Sequence, residues 1–172
     1  MNIYFIAVTP PPMHCPTDIV FVVDESGSIG SSDFELMKSF LSQLVSRLDI
    51  DSGSTRVGLV TYSTRVGTTI NLNAHTSVAS LQSAIMALSY SGGNTNTADA
   101  LAYVRTSMLT SSAGDRSNVS NVVVVLTDGE SDDETATKVS AKCIVIATSY
   151  SVFREIQCVD AVNGIIYSAD YL

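Results

Sequence analysis

Hydrophobic positions along this chain fall into two alternating patterns. Consecutive apolar runs, Ile19-Val20-Phe21-Val22-Val23 and Val122-Val123-Val124-Val125-Leu126, are what strands covered on both faces require, because side chains on either side meet a core. Between them the spacing turns helical. Phe34, Met37, Leu41, Leu44, Val45 and Leu48 predict an amphipathic helix over residues 31–48. Ser31 or Ser32 is its expected N-cap, with Ser32 and Glu35 forming a capping box. Val78, Leu81, Ile85 and Leu88 predict a helix over 78–88, and Ala98, Leu101, Ala102, Val104, Met108 and Leu109 one over 96–109. Strands are expected over 18–24, 55–62, 66–72 and 121–127, the second and third close enough for an antiparallel pair. Further on, the pattern gives a short helix over 133–142, a strand over 143–148, a short helix over 152–159 and a last strand over 165–169.

Strands alternating with helices predict an α/β fold. The expected form is doubly wound and Rossmann-like, a mostly parallel sheet with one antiparallel edge strand and helices on both faces. Sites in such folds form in loops beyond the carboxyl ends of the strands. Two acids, Asp24 and Asp128, stand at those ends, and Thr95 lies in a loop entering a helix. All three can meet at one rim of the sheet.

The first rim segment reads Asp24-Glu25-Ser26-Gly27-Ser28-Ile29-Gly30. One carboxylate and two hydroxyls at alternate positions offer three oxygens from one tight turn, and hard cations such as Mg²⁺ take oxygen ligands while keeping some water. Taken alone, the segment also suits a Ser-rich or Asx turn capping the first helix.

Two further segments complete a pattern. With Gly92-Gly93-Asn94-Thr95-Asn96-Thr97 and Thr127-Asp128-Gly129, in this order, Asp24-Glu25-Ser26-Gly27-Ser28 resembles the metal-ion-dependent adhesion site of von Willebrand factor type A domains. The resemblance runs from about Pro16 to Leu172 and is to the extracellular matrix type, such as the domains of collagen VI and matrilins. It implies a ligand set of Asp24, Ser26, Ser28, Thr95 and Asp128. Ser26, Ser28 and Thr95 would be hydroxyl ligands, and Asp24 and Asp128 would hold Mg²⁺ or Mn²⁺ directly or through water. It further implies metal-bridged binding of a partner's acidic residue, the partner being an extracellular protein such as collagen or another matrix protein. Each acid is expected to serve the cation rather than the core. An intracellular scaffold in a metal-chelatase or repair complex, and a purely structural assembly domain, are the alternatives. Two departures stand out: residues 129–142 give a shorter crossover than the family's, and the family's final helix is missing from the expected elements.

The chain of 172 residues suits one domain, read as an N-terminal extension over 1–15 and the domain over 16–172, part of a larger multidomain protein. With 17 acids against 9 bases the net charge is −8, which disfavours nucleic acid and anionic membranes as partners. No apolar run is long enough to span a bilayer. Residues 3–8 are apolar but short, and no basic residue precedes them, so a weak secretory leader and an artefactual N-terminus both fit. Of the three cysteines, Cys15 and Cys158 match the family's habit of tying its ends with a disulfide, and Cys143 suits a small buried hydrophobe; three buried thiols are the alternative. A secreted location follows from the resemblance.

No enzyme constellation emerges. His14 and His75 are the only histidines, neither beside a candidate nucleophile, and Gly92-Gly93 lacks the lysine of a phosphate-binding loop. Glu25, Asp99, Asp132, Asp133 and Glu134 are expected as solvated surface acids, with a second cation at residues 130–133 only if those groups converge. Asn118-Val119-Ser120 is a glycosylation sequon, used if it lies in a loop of a secreted protein and otherwise a chance match.

Overall fold

The computed structural model describes residues 16–128 and 131–133. The strand β1 (Thr17–Asp24) is central, with β2 (Thr55–Tyr62) and β4 (Ser120–Leu126) parallel on either side, and β3 (Val66–Ile70) antiparallel to β2. The order is β3-β2-β1-β4. Register explains the apolar runs. Phe21 sits level with Leu59 and Val124 on one face, and Val22 with Val60 and Val125 on the other. The first face packs against α1 (Gly30–Val45) and α2 (Val78–Met86) through Phe34, Met37, Leu41, Leu81 and Ile85. The second packs against α3 (Thr97–Tyr103) through Ala100 and Leu101. This is the expected mostly parallel sheet with an antiparallel edge and helices on both faces. The expected elements beyond residue 133, the N-terminal extension and all three cysteines lie outside the described residues, as does the expectation about a final helix.

Where the expected boundaries fail, hydrogen bonding diverges from apolar spacing. The expected capping box at Ser32 does not form. α1 starts earlier, with Ile29 at the N-cap and no side-chain cap, so Ser32 already lies inside the first turn. The Glu35 carboxylate lies 2.7 Å from Lys38 Nζ instead. At its other end α1 stops at Val45 because the next bonds tighten: Arg47 N–H donates to Leu44 O and Leu48 N–H to Val45 O. Leu48 still packs on the core, so the apolar pattern outruns the helix. The single helix expected over 96–109 is α3 followed by a π-turn, Val104–Met108, closed by Leu109 N–H to Val104 O at 2.9 Å. The turn keeps Val104 and Met108 on the buried face and brings the Met108 methyl over Gly58, where a Cβ would sit 3.1 Å from it. Likewise β3 ends at Ile70, while Leu72 is buried without belonging to the ladder.

The end of the sheet opposite the Asp24 rim is locked by one ion pair that the pattern did not expose. Asp18 is fully buried. Arg116 Nη2 and Nε donate to its Oδ1 at 2.6 and 2.9 Å, and Arg116 N–H donates to Oδ2 at 2.9 Å. The guanidinium also donates to the carbonyls of Gly53, Ser54 and Thr17. One side chain thereby ties the amino ends of β1, β2 and β4. Truncation would strand a buried carboxylate, so Arg116→Ala is expected to cost about 3–5 kcal/mol in chemical denaturation. Arg116→Lys should recover only part, because an ammonium cannot reproduce the planar fork.

Candidate functional site

β1 delivers Asp24 to the carboxyl edge of the sheet with no solvent exposure. Its Oδ1 accepts from Ser26 N–H at 2.8 Å, and its Oδ2 accepts from the Thr127 hydroxyl at 2.7 Å. The first contact is an Asx turn, but it does not cap α1, whose N-cap Ile29 has no side-chain cap, so only the turn half of that expectation holds for Asp24 and Ser26. It does not extend to Ser28, which bonds away from α1. Ser26 and Ser28 hydroxyls lie 3.2 Å apart, and Ser28 Oγ donates to Asp128 Oδ1 at 3.0 Å. Asp24, Ser26, Ser28 and Asp128 are thus brought into one hydrogen-bonded chain, drawn from two loops about a hundred residues apart.

Thr95 reaches the same rim through the backbone. Gly27 N–H donates to Gly93 O at 2.8 Å and Gly92 N–H to Glu25 O at 3.0 Å, strapping the loop after β1 to the loop before α3. The strap depends on glycine. Gly92 and Gly93 have φ of +70° and +112°, and a Cβ on Gly93 would come within 2.6 Å of Thr64 Oγ1. Thr95 N–H donates to Asp132 Oδ2, and Asp132 N–H returns a bond to Thr95 O, both at 3.0 Å. Among the described residues the Thr95 hydroxyl itself makes no hydrogen bond.

Several neighbours escaped the sequence pattern. Glu25, expected on the surface, is buried. Its carboxyl is pushed up, first by burial and then by the charge of Asp24, against hydrogen bonds with Ser91 and Thr61. The bulk of the strand-end turn hides it, and nothing in its spacing signalled that. Tyr62, fully buried at the end of β2, is pushed up to about 12 by burial and the Asp24 charge; its hydroxyl accepts from Thr97 Oγ1 at 3.2 Å. Tyr90 donates to Ser26 O at 3.0 Å and packs its ring on Phe34. Asp132, expected as a solvated acid, is exposed but bonded to Thr95 as above. Asp99 is exposed and accepts from Asn96 Nδ2.

The chemistry of the donor set is specific. Among the described residues no three His, Cys, Asp or Glu side chains gather as a metal site; the rim offers two carboxylates and a majority of hydroxyls. That set suits a hard cation and would serve a thiophilic one poorly. Adjacent ligand oxygens on an octahedron with metal–oxygen distances of ~2.1 Å lie about 3 Å apart. The Ser26–Ser28 and Ser28–Asp128 separations, 3.2 and 3.0 Å, fit that edge. No Lys or Arg among the described residues pairs with Asp24, so its negative charge is met only by neutral donors.

The mouse collagen alpha-4(VI) chain is 42% identical over 121 residues, covering 69% of this chain and 5% of that protein. Mouse matrilin-1 is also 42% identical over 121 residues, covering 69% and 24%. This chain therefore spans less than a quarter of either relative, and both are extracellular matrix proteins. Among solved structures, proximal thread matrix protein 1 of the mussel byssus superposes with a TM-score of 0.70 at 21% identity, covering 78% of this chain and 37% of that one. A second structure of that protein, described as having a zinc-occupied MIDAS motif, matches with a TM-score of 0.67 at 28% identity, covering 78% and 35%. The von Willebrand factor type A domain model matches residues 18–153, and the chain belongs to that family.

Proposed function

We propose that this domain is a divalent-cation-dependent protein-binding module of the extracellular matrix, with Asp24, Ser26, Ser28, Thr95 and Asp128 as its cation ligands. The observation that carries the reading is the convergence of Ser26, Ser28 and Asp128 oxygens at 3.0–3.2 Å beside a buried carboxylate that has no cationic partner among the described residues. Mg²⁺ or Mn²⁺ bound there would supply a positive vertex for an acidic residue of the partner. The chain's own residues do the rest. Asp24 holds the loop in shape and supplies buried negative charge. Ser26 and Ser28 present oxygens from the turn, Thr95 contributes a hydroxyl with no competing partner among the described residues, and Asp128 closes the set from the loop after β4. The exposed loop residues around the rim, Asn94 among them, then set which partner fits. The matrix relatives support an extracellular, non-enzymatic role within a larger multidomain protein, with collagen or another matrix protein as partner. They favour this over an intracellular scaffold or a purely structural assembly domain.

Two outcomes follow. Saturating Mg²⁺ or Mn²⁺ should raise the thermal midpoint, by about 2.7 kcal/mol of stabilisation at roughly one hundred times the dissociation constant, and chelator should reverse it; an unchanged midpoint with both ions contradicts the site. The two acids should also separate. Asp128 is exposed, so Asp128→Ala should change stability by no more than about 0.5 kcal/mol while abolishing chelator-sensitive retention on collagen-rich matrix. Asp24→Ala removes the acceptor of the buried Ser26 N–H and one contact of the Thr127 hydroxyl, and should cost about 1–3 kcal/mol even without metal. Asp24 thus serves the fold as well as the cation, a double role that its sequence position did not reveal. Denaturation of both variants in chelator, alongside the binding assay, checks this.

A further inference from the structure

We infer that Asn118 is an N-glycosylation site, and that its glycan stands at the pole of the sheet opposite the cation rim. Asn118-Val119-Ser120 is the only Asn-x-Ser/Thr triplet with a non-proline centre in the chain. A sequon is used only where a glycan can be accommodated in the folded chain, and the structure meets that condition. Val119 N–H donates to Arg116 O at 2.9 Å, so Ser117 and Asn118 occupy the middle of a tight turn. Asn118 and both hydroxyl neighbours, Ser117 and Ser120, are exposed. Among the described residues the Asn118 side chain makes no hydrogen bond, so joining a sugar to Nδ2 breaks nothing. Arg116, two residues earlier, fastens the base of the turn to Asp18 and to three carbonyls, which gives a bulky substituent a rigid mount.

The placement follows from the register. Ser120 pairs with Thr17 at the amino end of the parallel strands, and Leu126 pairs with Val23 at the rim end. Six residues of strand separate Ser120 from Leu126, about 20 Å at ~3.3 Å per residue. A glycan on Asn118 therefore leaves the rim open to a partner and covers the opposite pole.

The inference rests on the extracellular reading, so the test supplies the full chain with an added secretion leader in a eukaryotic host, separating the site from the chain's own routing. The readout is mass, which does not depend on cation binding. Secreted protein should lose mobility-retarding mass on treatment with peptide N-glycosidase, and the peptide containing residue 118 should then carry Asp in place of Asn. Both signals should vanish in Asn118→Gln and in Ser120→Ala, two exposed changes that leave the fold intact. Secreted, folded protein with unmodified Asn118 overturns the inference. Enzymatic removal of the glycan should leave Mn²⁺ affinity unchanged; a change in it would overturn the polar placement.

Discussion

β1 carries a fully buried carboxylate at each end, Asp18 and Asp24, and the contrast between them organises the molecule. Withdrawing a carboxylate from water is costly unless charge and hydrogen bonds compensate. At Asp18 the compensation is complete, because Arg116 supplies an opposite charge in a forked geometry and spends its remaining donors on nearby carbonyls. That end is closed. At Asp24 the partners among the described residues are the Ser26 amide and the hydroxyls of Thr127 and Tyr62, all neutral. The hydrogen bonds are made and the charge is left over. Same residue type, same strand and same burial give a structural clasp at one pole and an unbalanced anion at the other.

The loops gather hydroxyls beside that charge. Ser26 and Ser28 could have capped α1, as serines before a helix commonly do, yet α1 begins without a side-chain cap. Their hydroxyls are turned toward each other and toward Asp128 instead. Forgoing a cap is worth roughly 1 kcal/mol, a local sacrifice of the kind that marks functional positions. The glycine strap from residues 92 and 93 holds this arrangement from the side, and the Tyr90 hydroxyl fixes the Ser26 carbonyl from below. The Ser26, Ser28 and Asp128 oxygens are therefore already held together, so the proposed cation would meet a low ordering cost.

Much of this was legible in the residue order. Two-sided burial of β1 and β4 was written in uninterrupted runs of Val, Ile, Phe and Leu, and β2 in its extent from Thr55 to Tyr62. The rim residues were legible because a carboxylate with alternate hydroxyls is a chemical statement in a handful of letters. What stayed hidden depends on contacts far apart in sequence. Arg116 and Asp18 are separated by 98 positions, and neither position hints at the other. Glu25 looked like surface because charge usually is, but the turn after β1 folds it inward beneath Gly67 and Thr61. Helix ends were misjudged where apolar spacing persisted past the last regular hydrogen bond, at Leu48, or where a π-turn preserved it, at Met108.

The most direct measurement is anomalous diffraction from crystals of the domain grown in Mn²⁺. An anomalous peak is expected, bounded by side-chain oxygens of Ser26, Ser28 and Thr95, with the carboxylates of Asp24 and Asp128 in the same cluster, and it should disappear in Asp128→Ala crystals. Saturating Mn²⁺ that gives no peak at this rim, or a peak that persists unchanged without Asp128, would contradict the claim that the uncompensated end of β1 is a cation site.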